Sequence, residues 1–184
     1  TLIIRPDGSQ FDVSFVLNGQ IKHLAKLERN ESGAAQYKAL LAGDDRLSKA
    51  DLIFRLSKRY GIQKEIALPT AAKENLYQVV SYELSRYSPF NSEQAYFAVK
   101  PLDVINEPGQ IRVLLILTAK KVLDLFYTDL KALGMSPSFV DYEGMPNDLD
   151  SIEDQYNLLP ESLRDKPARA PRLVYSTLIG TVFL

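Results

Sequence analysis

The sequence predicts a mixed α/β domain, with α+β as the alternative fold class, and three observations indicate it. Residues 11–27 contain two strand-like runs joined by Asn18-Gly19, which is the pattern of a β-hairpin. Residues 70–87 repeat apolar side chains at helical spacing. Residues 95–142 then alternate between strand-like and helix-like runs, so both kinds of element contribute to one core.

The first 69 residues are predicted to form a strand-rich subdomain (1–69). A strand over 2–5, a turn at Pro6–Ser9 and the hairpin give a three-stranded meander. The expected elements after the hairpin are a helix over 33–42 that Ser32 caps and Gly43 ends, a strand over 51–56 and an extended run over 62–68.

Residues 70–142 are predicted to form a helix-strand-strand-helix-strand subdomain. Thr70 is the expected cap of its first helix, and Pro89 ends that helix because proline restricts the residue before it. The run 111–117 is almost wholly apolar, which predicts a strand covered on both faces. The other expected elements are strands over 95–101 and 138–142 and a helix that Thr118 caps and Gly134 stops.

Charge is distributed unevenly after this subdomain. Residues 141–165 carry eight acids and one base, and the last twelve residues carry no charge. We therefore predict an acidic, then basic linker over 143–172, and for 173–184 either the start of a transmembrane helix or a terminal strand. The membrane-proximal bases that favour the helix are Arg164, Lys166, Arg169 and Arg172.

The composition of the 184-residue chain excludes several kinds of chemistry. The absence of cysteine excludes disulfides, thiolate metal sites and cysteine nucleophiles. A single histidine, His23, excludes a multi-histidine metal centre, and a net charge of −1 argues against a general nucleic-acid binder. We predict no catalytic, cofactor-binding or metal-binding residues and no nucleic-acid partner.

Three motifs have a weaker chemical interpretation beside a structural one. Asp7-Gly8-Ser9 lies between strands but lacks the glycine-rich run of a phosphate loop, so we expect a simple turn. His23 has no evident nucleophile to activate and is predicted to lie on a strand. The acids of 141–154 lack calcium-loop spacing and Pro146 interrupts them, so they indicate a solvated linker.

The stretch from Leu68-Pro69 to Phe90 and the strand after it carry a signature that resembles the GspL-like proteins of type II secretion and the PilM/PilN-type proteins of type IV pilus assembly. The element order over Ile111–Asp141 is similar as well. The resemblance covers 68–160 well and 1–67 loosely. The residues that carry it are Leu68, Pro69, Tyr82, Glu83, Arg86, Tyr87, Pro89, Phe90 and Tyr96.

The segment Asn157-Leu158-Leu159-Pro160 resembles the NLLP motif that opens PilN-like proteins just before their membrane helix. In the pilus family this motif lies in a groove of the PilM domain. The resemblance therefore implies that the segment docks on a domain of this type, in the same chain or a neighbouring one. From the residues alone, the alternative is a short helix that starts with Pro160 at its first position.

The resemblance implies a reduced actin-like, ribonuclease H-like domain that acts as a non-catalytic scaffold at the cytoplasmic face of a bacterial inner membrane. Its expected partners are a secretion or pilus assembly ATPase, other inner-membrane assembly proteins (GspM-, PilM- or PilO-like) and a second copy of the chain. No cofactor is expected. The alternative functions are a nucleotide-binding actin-like ATPase domain, which degenerate phosphate loops disfavour, and a soluble adaptor whose run 173–184 is a core strand.

Overall fold

The structure, a computed structural model, describes residues 1–102, 107–144 and 157–164. The strands are β1 (Leu2–Asp7), β2 (Gln10–Leu17), β3 (Gln20–Glu28), β4 (Leu52–Leu56), β5 (Ile62–Pro69), β6 (Ala95–Pro101), β7 (Gln110–Ala119) and β8 (Phe139–Tyr142). The α-helices are α1 (Glu31–Gly43), α2 (Asp45–Ser48), α3 (Leu76–Tyr87) and α4 (Lys120–Ala132). Short 3₁₀ helices cover Lys58–Tyr60, Thr70–Asn75 and Glu161–Leu163.

Five strands form a mixed sheet in the order β3-β2-β1-β4-β8. The first three are antiparallel, which confirms the predicted meander, while β4 and β8 run parallel to β1. Leu17 pairs with Gln20 across a two-residue turn in which Asn18 and Gly19 have φ angles of 50° and 74°. These positive angles match the right-handed twist of the strands, so Asn-Gly suits the turn.

Three further strands form an antiparallel sheet in the order β5-β7-β6. The central strand β7 divides its side chains between two cores. Leu114 and Ile116 pack in the core that faces the five-stranded sheet, whereas Leu115 and Leu117 pack in a second core that includes Val80 of α3. The prediction of a strand covered on both faces is confirmed.

Helix α4 holds the first core together through Phe126. Its ring lies 5.5 Å from that of Phe54 on β4 and 4.9 Å from that of Tyr60, the latter edge-on. The guanidinium of Arg29 stacks over Phe126 and pairs with Asp129 one turn later on the same helix. One face of α4 is thus fixed against the five-stranded sheet, as the apolar stripe predicts.

Three predicted helix caps are wrong. Asn30, not Ser32, caps α1, because its side chain accepts the N–H groups of Ser32 and Gly33. Thr70 begins a 3₁₀ helix, and the α-helix starts only at Leu76. Thr118 is the penultimate residue of β7, and its hydroxyl donates a 2.7 Å hydrogen bond to the carbonyl of Tyr60. Because Thr118 lies just before a helix in the sequence, its position alone does not show whether its hydroxyl caps that helix or bonds to a distant loop.

The sheets exchange strands across the predicted subdomain boundary. Strand β5 precedes residue 70 but pairs with β7, whereas β8 follows residue 70 but pairs with β4. The two sheets are therefore not separated at residue 70 along the chain. The division of the chain into subdomains 1–69 and 70–142 stays a prediction. Within the described ranges, no helix is long and apolar enough to cross a bilayer. The run 173–184 lies outside these ranges.

Candidate functional site

Residues 157–164 lie against the outer edge of β8, so the segment that the resemblance singles out contacts its own chain. The side-chain oxygen of Asn157 accepts the backbone N–H of Val140 at 2.9 Å, and the N–H of Leu158 donates to the carbonyl of Val140 at 2.9 Å. The Asn157 amide nitrogen also donates to the carbonyl of Ser138 at 3.3 Å. The asparagine thus supplies at a sheet edge the bonds that another strand would make.

The two leucines of the segment enter the first core. Leu158 is 2% exposed and Leu159 is 0% exposed. Burial of a leucine side chain contributes about 1.5–3 kcal/mol relative to leaving it in water. The oxygen of Asn157 also accepts the N–H of Leu159 at 3.0 Å, which holds the turn that directs both leucines inward.

A short 3₁₀ helix, Glu161–Leu163, follows the leucines. Pro160 stands before it at the cap with φ −64° and ψ 149°, not at the first helical position that the alternative interpretation gives it. Tyr127 of α4 donates its hydroxyl to the carbonyl of Leu163 at 3.0 Å, and Arg164 donates Nε to the carbonyl of Leu159 at 2.9 Å. The Tyr127 bond therefore ties the end of the segment to α4, whereas the Arg164 bond lies within the segment.

A buried ion pair lies next to this docking point. Arg55 on β4 donates Nε and Nη2 to the Asp141 carboxylate on β8 at 2.9 and 2.7 Å, and both side chains are buried. Burial raises the pKa of Asp141, and the hydrogen bonds and charge of Arg55 oppose that shift. Asp141 is therefore a strand residue, which corrects its assignment to the solvated acidic run; the rest of that run after 144 lies outside the described residues.

A groove of about 590 Å³ opens beside the docked segment. Its lining comes from three parts of the chain: the start of α3 with the turn before it, the strand β6, and the docked segment. The ring of Tyr77 stacks on Phe97 at 4.4 Å but stays 60% exposed. Sequence reasoning did not find this groove, because its parts are distant along the chain.

The charged signature residues lie on the last turns of α3. Glu83 accepts the hydroxyl of Tyr87 at 2.9 Å and lies 3.6 Å from a guanidinium nitrogen of Arg86. Arg86 also stacks over the ring of Tyr87. These contacts at spacings of three and four residues stabilise the helix itself.

The apolar signature residues have structural positions as well. Leu68 is buried in the second core, and Pro69 is the last residue of β5. Pro89 follows the extended cap Ser88, whose hydroxyl oxygen accepts the N–H of Phe90 at 3.1 Å. The signature thus describes how β5 leads into α3 and how α3 ends.

The remaining candidates fall into two groups. Asp7 begins the turn between β1 and β2 and pairs with Lys26 at 2.7 Å, while His23 on β3 lies 2.7 Å from Asp12 across the strands.

Of the proposed membrane-proximal bases, only Arg164 lies within the described residues. The others, Lys166, Arg169 and Arg172, lie outside them.

No protein-family model matches the chain. Over 69 residues it is 32% identical to type II secretion system protein L of Xanthomonas campestris pv. campestris, a match that covers 38% of this chain and 18% of that protein. This match supports the resemblance of the chain to GspL-like proteins. The chain therefore spans less than a fifth of the curated relative it matches.

Two solved structures share the fold. The PilM–PilN type IV pilus biogenesis complex superimposes with a TM-score of 0.58 at 20% identity, covering 77% of this chain and 47% of that one. The cytoplasmic domain of EpsL, an inner-membrane component of the type II secretion system of Vibrio cholerae, gives 0.53 at 14% identity, covering 76% and 55%. These likenesses show that the chain shares the fold of these two domains, and they confirm the predicted mixed α/β class.

Proposed function

We propose that the chain is a non-catalytic scaffold domain, on the cytoplasmic face of a bacterial inner membrane, in a type II secretion or type IV pilus machine. It links a cytoplasmic assembly ATPase to membrane partners by protein contacts. The observation that carries the proposal is the docking of Asn157, Leu158 and Leu159 on β8 of the same chain. One polypeptide would then combine a segment that resembles the PilN motif with a domain of the fold found in the PilM–PilN complex, which supports the proposal.

The contacts suit a role in transmitting force. A pull on the chain beyond Arg164 reaches the sheet through the buried leucines, the Asn157 hydrogen bonds and the Tyr127–Leu163 hydrogen bond. Because these anchors act on β8 and α4, the load is carried by the core and not by a surface loop. We propose that residues 173–184 begin a transmembrane helix and that the bases before them stay on the cytoplasmic side.

We propose GspM-, PilM- or PilO-like proteins and a second copy of the chain as further partners. The same docking segment could be exchanged between copies, since it lies at an edge and not within the sheet. No nucleotide is needed for this function. The domain acts by binding its protein partners. Titration with magnesium–ATP in an isothermal calorimeter should therefore give no saturable heat of binding.

The test is co-purification with the secretion or pilus assembly ATPase of the same bacterium, together with complementation of a strain that lacks the gene. The wild-type protein should retain the ATPase and restore secretion or piliation. Leu159→Ala should weaken complementation, whereas Leu125→Ala, an exposed leucine on α4, should behave as wild type. A protein that binds magnesium–ATP but no ATPase would replace the scaffold by the nucleotide-binding alternative.

A further inference from the structure

The five-stranded sheet buries apolar side chains on both of its faces. Side chains on one face, such as Ile4 of β1, form the first core with α1 and α4. On the opposite face, which we call the reverse face, Ile3 of β1 pairs with Ile53 of β4, and Ile53 pairs with Phe139 of β8. These three side chains are 0%, 2% and 7% exposed, so they form a buried apolar row across three strands.

The described helices leave this row without a cover. Every buried side chain of α1, α2, α3 and α4 belongs to the first or the second core, and so do Leu158 and Leu159 of the docked segment. Within the described part of the chain, Ile3, Ile53 and Phe139 belong to neither core. A side chain on a central strand reaches 0% exposure when another layer packs on it, so a further part of the same chain is expected here.

Charge on the reverse face does not select the cover. The next row along the strands holds two acids and two bases, namely Asp12, Arg5, Arg55 and Asp141. Arg55 is bonded to Asp141, and Asp12 lies beside His23. The apolar row is therefore the feature that a covering segment has to match.

Residues 148–156, which lie outside the described residues, carry one apolar stripe at helical spacing. Leu149, Ile152 and Tyr156 follow one another at intervals of three and four positions, and they fall within about 60° of the circumference of a helix. Asn147 can cap this helix, and the acid Asp150 suits its first turn. The pattern therefore predicts an amphipathic helix within the acidic run.

Both ends of this segment are fixed beside the reverse face. It follows Gly144 just beyond β8, and it leads into Asn157, which bonds to Val140 of β8. Val140 and Gly144 are at most about 14 Å apart, because extended chain rises no more than about 3.6 Å per residue. A helix over 148–156 is about 13 Å long, so it fits when it returns alongside β8. The first core already fills the other face of that strand.

We propose that residues 148–156 form an amphipathic helix that docks on the reverse face and turns its apolar stripe towards the buried row. Asp150 and Asp154 then point to solvent on the far side of the helix, which explains how an acidic segment can cover an apolar face. The other apolar run, 173–184, carries no charge on any side and would leave apolar side chains in water. The reverse face is thus occupied within the chain, and the partners of the scaffold bind elsewhere.

The first test is thiol labelling, since the chain has no cysteine of its own. Single cysteines replace Leu149, Ile152, Asp150 or Asp154 in the full chain. Each rate of reaction with a maleimide is divided by the rate in urea, which removes the effect of neighbouring acids on the thiol. Leu149→Cys and Ile152→Cys should react about tenfold more slowly than Asp150→Cys and Asp154→Cys. Equal rates at the four positions would overturn the proposal.

A second measurement identifies the face that the helix covers. Ile3 and Ile4 are neighbours on β1 and both are 0% exposed, but they lie on opposite faces of the sheet. Addition of Ile152→Ser to Ile3→Cys should speed labelling about tenfold, whereas addition of Asp154→Ser should leave the rate unchanged. In Ile4→Cys neither addition should speed labelling, which excludes general unfolding as the cause.

The labelling of Ile3→Cys also distinguishes the helix from other covers. A rate that does not respond to Ile152→Ser would overturn the proposal. A rate that rises only when residues 173–184 are removed would overturn it as well, because the terminal run would then cover the reverse face. If Ile3→Cys does not fold, Ile53→Cys reports on the same row. None of these rates depends on the ATPase, so this proposal and the scaffold function fail separately.

Discussion

The side-chain oxygen of Asn157 lies 2.9 Å from the backbone nitrogen of Val140, where it accepts the N–H that an adjacent strand would otherwise accept. Both residues are buried. The edge of the five-stranded sheet is thus closed by a side chain that lies 17 positions further along the sequence. This contact makes the docked segment part of the fold as well as part of the proposed interface.

Asn157→Ala should lower the free energy of unfolding by about 1–3 kcal/mol, because it leaves the Val140 N–H buried without an acceptor. Urea denaturation followed by circular dichroism would measure the change. Ser162→Ala, an exposed change in the same segment, should stay within about 0.5 kcal/mol of wild type. Equal stability of the two variants would contradict the assigned hydrogen bond.

Leu159→Ala should cost about 2–5 kcal/mol, since it creates a cavity at a fully buried site. The matched change Leu125→Ala removes the same atoms from a leucine that is 60% exposed and should cost far less. Thermal unfolding of the pair measures the difference. If both variants melted together, the segment would not be seated in the core.

Arg55→Leu should destabilise the protein by about 3–5 kcal/mol at neutral pH, because Asp141 would remain buried without its partner. Loss of Arg55 removes the opposition to burial, so the pKa of Asp141 should rise further. The folded variant then retains a proton that the unfolded chain releases above its ordinary pKa of 3.8, and stability falls as pH rises from there towards the raised pKa.

Urea unfolding of Arg55→Leu and of the wild-type protein at pH 4 and pH 7 tests this prediction. The loss of stability of the variant relative to wild type should be smaller at pH 4 than at pH 7. The double variant Arg55→Leu with Asp141→Leu removes both charges and should recover much of the loss. A single variant whose deficit did not depend on pH would show that Asp141 is not the group responsible.

Gly33→Ala should destabilise α1, although alanine is the better helix former. A β-carbon at this position would lie 1.8 Å from the carbonyl oxygen of Glu28, so the backbone must shift, at about 1–3 kcal/mol. Gly43→Ala at the other end of the helix meets nothing within 4 Å and should stabilise by up to about 1 kcal/mol. Differential scanning calorimetry of the two variants should therefore give shifts of opposite sign.

Local patterns were sufficient for most elements of this fold. Asn18-Gly19 predicts its hairpin because few other dipeptides adopt two positive φ angles, and the apolar run of β7 predicts burial on both faces. The pairing of β5 with β7 depends on contacts between residues that are distant in the sequence, and no local hydrophobic periodicity indicates these contacts. The predicted cap at Thr118 failed for the same reason, whereas the predicted cap at Ser32 failed because Asn30, two residues earlier, makes the capping hydrogen bonds.

The candidate site was predicted only in part. A resemblance identified Asn157, Leu158 and Leu159, but the β8 residues that they contact form no sequence motif. One signal was available and unused: Arg55 and Asp141 each interrupt an otherwise apolar strand. A lone charge in each of two buried strands predicts that they meet, since neither can be buried alone. That pairing would have aligned β4 with β8.

Strand β7 connects the two cores, and this has a consequence for cooperativity. Its ten residues supply side chains to both cores and bond on each edge to β5 and β6. Opening either core therefore removes support from the other, so we expect both halves to melt in a single transition. The amides of β7 should be among the slowest to exchange with deuterium, at rates set by global unfolding.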